Sequence, residues 1–145
     1  MTRRKTTGAV MIPGVLIALA CAAGAQTSKS VSDGVYTEDQ AARGGKAYVQ
    51  YCFECHGRDL RGDVESRPLV GDEFFANWDG TTVLMLFDRI RITMPAVNPG
   101  NLSRQQVADI LAFLLKANRF PAGGTELSTR AEILKDIRFE IPRRQ

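Results

Sequence analysis

Five consecutive residues, Cys52-Phe53-Glu54-Cys55-His56, constrain this chain more than any other stretch. Two thiols separated by two residues and followed at once by an imidazole form the attachment signature of a c-type haem. Each thiol adds to one vinyl group of a porphyrin, and the spacing lets both sulfurs reach one edge of the macrocycle. The next residue then lies under the iron and supplies a proximal nitrogen. His56 is the single histidine of the chain, so an iron held through histidine is held there.

Other uses of a C-x-x-C pair fit less well. A zinc site needs further Cys or His ligands, and the third cysteine, Cys21, falls in a segment expected to be removed. A thioredoxin-like dithiol belongs in a βαβ pattern, which this sequence does not show. A plain disulfide stays open as an alternative.

The 145 residues suit one domain. Residues 1–25 read as a signal peptide. Arg3, Arg4 and Lys5 form a charged start, Ala9 to Ala23 is apolar, and Ala23-Gly24-Ala25 offers a cleavage site. That implies a periplasmic protein. Pro13 and Gly14 interrupt the apolar run, which is short for a membrane span, although a retained anchor is an alternative. Membrane association is expected only in that case. A lipoprotein signal at Cys21 is disfavoured by Ala18, which stands where Leu is usual. The chain carries 19 basic and 16 acidic residues, and the leader holds three of the former and none of the latter. The remainder is balanced, which gives no argument for nucleic-acid binding or for strong electrostatic steering.

Residues 26–36 are a polar, flexible lead-in. Thr37 and Gln40 then form a capping-box pattern that predicts a helix to about Gln50, with Ala41, Gly44 or Gly45, and Tyr48 on its buried stripe. Gly57 to Arg67 reads as loop, and Pro68 to Gly71 as a short apolar segment against the haem. Residues 73–78 are short and aromatic, closed by an Asp79-Gly80 turn. Thr81 or Thr82 caps a helix to about Ile92. Ser103 with Gln106 caps the most periodic helix, to about Asn118, with Val107, Ile110, Leu111 and Leu114 as its stripe. Thr129 with Glu132 suggests a last short helix, followed by alternation of Ile137, Phe139 and Ile141. Residues 124–145 are too few to bury a core of their own and are expected to pack across the domain.

An electron carrier needs both axial positions of its iron filled, and a thioether on the far side favours the ferrous state. Outside the leader there are two methionines. Met85 lies among apolar residues within a helix, where core packing is its default role. Met94 precedes Pro95 and is therefore pushed out of helical geometry onto a loop. Met94 is the favoured ligand. The His56 ring N–H needs a backbone carbonyl to orient it, and that of Pro68 is a candidate. Trp78, the only tryptophan, is a core residue or a hydrogen-bond donor to a haem propionate. Arg89 and Arg91 either reach propionates or remain at the surface.

With these residues in place, the chain resembles the class I c-type cytochromes over about residues 38 to 122. The resemblance rests on Ala42 to Tyr48 with the C-x-x-C-H motif, on Pro68, on Thr93-Met94-Pro95, and on Ala108 to Leu115. It implies an all-α cytochrome c fold of three to five helices around one covalent haem, occupying residues 37–123. In that fold the first and last helices cross, so Gly44 and Tyr48 should meet Ile110 and Phe113. Residues 68–80 and 118–123 are similar, more loosely, to cytochromes that accompany periplasmic quinoprotein dehydrogenases. The expected function is electron transfer between a dehydrogenase and a terminal oxidase or another cytochrome, with no enzymatic bond chemistry. The alternatives are a haem enzyme or gas sensor with an open distal site, for which no second histidine exists to act as acid–base group, and a subunit held in a larger complex by its tail.

Overall fold

A computed structural model describes residues 29–141; the leader lies outside them. The described elements run β1 (Lys29–Ser30), a 3-10 turn (Val31–Asp33), α1 (Glu38–Tyr51), α2 (Phe53–His56), α3 (Gly71–Trp78), α4 (Val83–Thr93), α5 (Arg104–Ala117), α6 (Ala131–Leu134) and β2 (Ile137–Arg138). This is an all-α fold with six helices, more than the three to five expected. The haem motif itself is a helical turn, and the aromatic residues before Trp78 form α3.

Helices α1 and α5 make the central crossing. Thr37 caps α1 through its hydroxyl, which accepts from the Gln40 amide at 3.2 Å. Glu38 and Asp39 put negative charge in the first turn, where the helix dipole favours it. At the start of α5, Ser103 and Gln106 form the full reciprocal box, at 3.2 and 2.9 Å. At the crossing, Gly44 presses on the α5 backbone. A Cβ there would lie 1.8 Å from the Asp109 carbonyl oxygen and 3.0 Å from the Ile110 nitrogen. Tyr48 meets Phe113 with ring centroids 5.2 Å apart.

The Thr37–Gln40 box is not reciprocal. The Gln40 side chain is fully buried and reaches the C-terminal segment instead. It donates to the Leu127 carbonyl at 3.0 Å and accepts from the Leu127 amide at 2.6 Å. A buried amide needs such partners, and this one finds them 87 residues away. Arg43 adds an ionic fastening. It grips the buried Asp109 at 3.0 and 3.1 Å and Glu126 at 2.9 Å. Hydrogen bonds to Glu126 and Asp109 push its pKa above the usual arginine value.

The C-terminal segment supplies core residues. Leu127, Leu134, Ile137 and Phe139 are all buried. Phe139 lies 5.8 Å from the Phe74 ring and 5.5 Å from Phe120. Its backbone pairs with the α3–α4 connection, as the Gly80 amide donates to the Phe139 carbonyl and the Phe139 amide to Thr81. β2 runs parallel to β1, with Lys29 opposite Ile137. The helix expected from Thr129 shrinks to the single turn α6, whose N-cap is Arg130. Thr129 serves otherwise, its carbonyl accepting from the Arg104 guanidinium at 2.8 Å. No helix among the described residues is long and apolar enough to cross a membrane.

Candidate haem-attachment site

The motif is built directly on the end of α1. Cys52 is both the last cap of α1 and the first cap of α2, and its amide donates to the Tyr48 carbonyl at 2.9 Å. The amides of Cys55 and His56 then fold back on the Cys52 carbonyl at 3.3 and 2.9 Å. Residues three and four apart on a helical turn share a face. Cys52, Cys55 and His56 are thereby brought to one side by a single turn. Gly57 ends it at φ +71°, in the left-handed region that glycine enters without strain. The Tyr48 hydroxyl donates to the Gly57 carbonyl at 2.7 Å and locks the turn to α1. No disulfide joins the two cysteines; Cys52 is half-buried and Cys55 exposed. Burial, with the neighbouring Cys55, pushes the Cys52 thiol up to about 11.

The His56 ring is oriented from below. Its Nδ1 lies 3.1 Å from the carbonyl of Arg67, not that of Pro68. A carbonyl can only accept, so Nδ1 carries the proton and Nε2 keeps its lone pair for a metal. The one-residue correction follows from the loop. Asp63 accepts from the Glu65 and Ser66 amides, both at 2.9 Å, and closes a tight turn just before Arg67. Those two bonds hold the Asp63 carboxyl below the usual range. Gly62, at φ +65°, lies where a Cβ would stand 1.8 Å from the Ser66 carbonyl oxygen. The Leu69 amide donates to the Leu60 carbonyl at 2.8 Å. The Arg67 carbonyl is thus delivered by a loop tied on both sides. Pro68 is partly buried and contributes a fixed φ between those ties.

Met94 is where the pattern placed it. It follows α4 in extended geometry, φ −121° and ψ 151°, and is partly buried against the core. Met85 is not a core residue: it is 56 % exposed. The buried positions of α4 are Val83, Leu86, Phe87 and Ile90, and Met85 falls on the outward face with Ile92, seven residues on. Trp78 is partly buried at the end of α3, its ring 6.5 Å from Phe74. Met94 and Trp78 thus come from elements other than the motif and pack against the same apolar core. Arg89 is exposed, and Arg91 pairs with Asp88 at 3.2 Å. A 340 Å³ apolar groove lined by Gly45, Tyr48, Val49, Phe53, Arg58 and Phe113 borders the motif and contains none of these candidate ligands.

One residue near the site reads in the sequence only as a helix end. Asn118 caps α5, and its side chain reaches the 69–71 backbone. Its Nδ2 donates to the Leu69 and Leu114 carbonyls, both at 2.9 Å, and its Oδ1 accepts from the Gly71 amide at 3.2 Å. An Asn just past a helix is a usable C-cap signal, but it does not name the distant partner.

Among the described residues no cluster of three or more His, Cys, Asp or Glu could hold a bare metal ion. Two thiols on one face beside an imidazole with a free Nε2 suit a porphyrin, which brings four iron ligands of its own. The family model for cytochrome C oxidase, cbb3-type, subunit III matches residues 39–114. The chain belongs to this family of c-type cytochrome domains. The matched span takes in the C-x-x-C-H motif, the loop that orients His56, and Met94. Its cofactor is therefore haem c, with Cys52 and Cys55 positioned to attach it, and the role of the cytochrome is haem-based electron transfer with redox protein partners. The C-terminal segment that carries Phe139 lies beyond the matched span. No curated protein matches the chain.

Proposed function

We propose that this cytochrome is a periplasmic one-electron carrier whose haem iron is held between His56 and Met94. The observation that carries the reading is the His56 Nδ1–H bond to the Arg67 carbonyl, which presents Nε2 as a ligand. Bound haem c supplies a reversible one-electron iron couple. The polypeptide does the holding. Cys52 and Cys55 fix the porphyrin edge, His56 gives the proximal nitrogen, and Met94 offers a thioether from the loop after α4. Trp78 is the candidate donor to a propionate. The chain contains no second histidine to serve acid–base chemistry, which supports a carrier over an enzyme.

Residues 1–25 serve as the export signal in this reading, since haem attachment requires an unfolded chain outside the cytoplasm. Residues 37–123 form the cytochrome domain, and 124–145 the extension. The donor is a periplasmic dehydrogenase of the quinoprotein class, and the acceptor a terminal oxidase or another cytochrome. The extension buries Leu127, Leu134, Ile137 and Phe139 in its own domain, which argues against its use as a tether to a larger complex.

The ligand assignment is tested by replacing each methionine. In the haem-loaded protein, Met94→Ala is expected to turn a low-spin iron high-spin, read by optical or EPR spectroscopy. Met85→Ala, on the outward face of α4, is expected to leave the spectrum unchanged. The opposite pattern would transfer the ligand role to Met85.

A further inference from the structure

We infer that Asn118 is a positioning residue that sets the reduction potential by holding the loop that orients His56. The inference rests on His56 being an iron ligand. The chain of contacts is continuous. The His56 Nδ1–H donates to the Arg67 carbonyl at 3.1 Å. Pro68 follows with a fixed φ and no amide donor, so it transmits a shift of its neighbours rather than absorbing it. The next residues are then held by Asn118, which donates to the Leu69 carbonyl at 2.9 Å and accepts from the Gly71 amide at 3.2 Å. One side-chain amide thus satisfies the Leu69 carbonyl and the Gly71 amide, a first-turn donor of α3 with no partner within its helix.

The upstream end of the loop is tied within itself, through Asp63 and the Leu60–Leu69 pair. Asn118 is the tie from outside. It connects the loop to the C-terminus of α5, which is anchored in turn through the α1 crossing. The helix that crosses α1 therefore controls the carbonyl beneath the proximal histidine through Leu69, 49 residues before Asn118 in sequence.

The consequence is electronic. A hydrogen bond from Nδ1–H to a carbonyl raises the basicity of the opposite nitrogen. A more basic ligand stabilises the ferric state and lowers the potential. Loosening the Arg67 carbonyl weakens that bond and raises the potential. Asn118→Leu removes both contacts to the loop. Asn118→Ala removes the same contacts with a smaller, uncharged side chain.

Potentiometry of the haem-loaded protein decides the matter. At the wild-type midpoint, Asn118→Leu is expected to hold a severalfold higher ferrous-to-ferric ratio, and Asn118→Ala a shift in the same direction. Tyr36→Phe is the control. It removes a 2.7 Å bond from the Tyr36 hydroxyl to the Phe120 carbonyl, on the same turn as Asn118 but away from the loop. It should lower the melting temperature and leave the potential in place. An unchanged potential in Asn118→Leu, or an equal shift in Tyr36→Phe, would overturn the inference. If Asn118→Leu fails to load haem, Asn118→Ala carries the test, and its potential must rise. A His56→Gly protein that still gives the wild-type low-spin spectrum would contradict the ligation itself, separately from the role of Asn118.

Discussion

A chain with both Cys52→Ser and Cys55→Ser is expected to lose all covalently held haem. On a denaturing gel the wild-type band stains for haem and the double variant does not. The reason is chemical: a serine hydroxyl does not form the thioether that a thiol makes with a porphyrin vinyl group. His56 and its Arg67 carbonyl are untouched by the change, so haem can still associate by coordination in the native state. Denaturation removes that contribution, which is why the readout is taken under denaturing conditions. The single variants distinguish the two attachment points. Cys52 is half-buried at the α1–α2 junction and Cys55 is exposed on the same turn. Each single variant retains one thioether and should still stain. Full staining of the double variant would mean that haem is attached elsewhere.

The second large effect is expected at Gly44. Its missing Cβ would stand 1.8 Å from the Asp109 carbonyl oxygen and 2.4 Å from the Asp109 carbonyl carbon. Both are backbone atoms, so no rotamer change relieves the clash, and α1 must move away from α5. Overpacking of this kind costs about 1–3 kcal/mol, and backbone against backbone places it at the upper end. The gain in helix propensity from Gly to Ala is about 1 kcal/mol and does not offset it. Gly44→Ala should therefore melt about 8–16 °C below wild type, a net loss of about 2 kcal/mol at about 4–8 °C each. Gly45→Ala gives the contrast. Its Cβ would meet only the Phe113 ring edge at 3.3 Å, a side-chain atom that can yield. That variant should be neutral or slightly stabilised. Calorimetry on the two haem-loaded variants checks the pair, and equal melting temperatures would contradict a close α1–α5 contact at Gly44.

What was legible in the sequence was local chemistry. The C-x-x-C-H spacing, the Ser103–Gln106 box and the extended Met94 before Pro95 each follow from residues within a few positions of one another. What was not legible depended on distant partners. Gln40 reads as a capping-box side chain until Leu127, folded back from the C-terminus, takes both its hydrogen bonds. Thr129 reads as a helix cap until its carbonyl is claimed by Arg104. For the orienting carbonyl the sequence points one residue late, to Pro68, because the turn closed by Asp63 and Gly62 fixes which carbonyl faces His56. Met85 reads as inward because its neighbours are apolar, yet a helix buries only one stripe and Met85 lies off it. Pattern alone leaves Gly44 and Gly45 open; the resemblance points to Gly44, and the crossing geometry puts it against the α5 backbone.

The C-terminal segment changes the picture of the domain most. Phe139 completes an aromatic cluster with Phe74 and Phe120 beside the α3–α4 connection. Arg43, Gln40 and Arg104 each hold the segment with polar bonds as well. It therefore supports the helices that flank the site, and it does so from outside the span matched by the family model.

The central claim is a six-coordinate haem, closed on both faces and exchanging one electron. The direct measurement is the spectrum of haem-loaded wild-type protein in both valence states during a potentiometric titration, with cyanide added to the ferric form. A low-spin iron in both states, a single one-electron transition and slow cyanide binding are predicted. A high-spin ferric iron that takes up cyanide at once would contradict the claim and favour an open distal site.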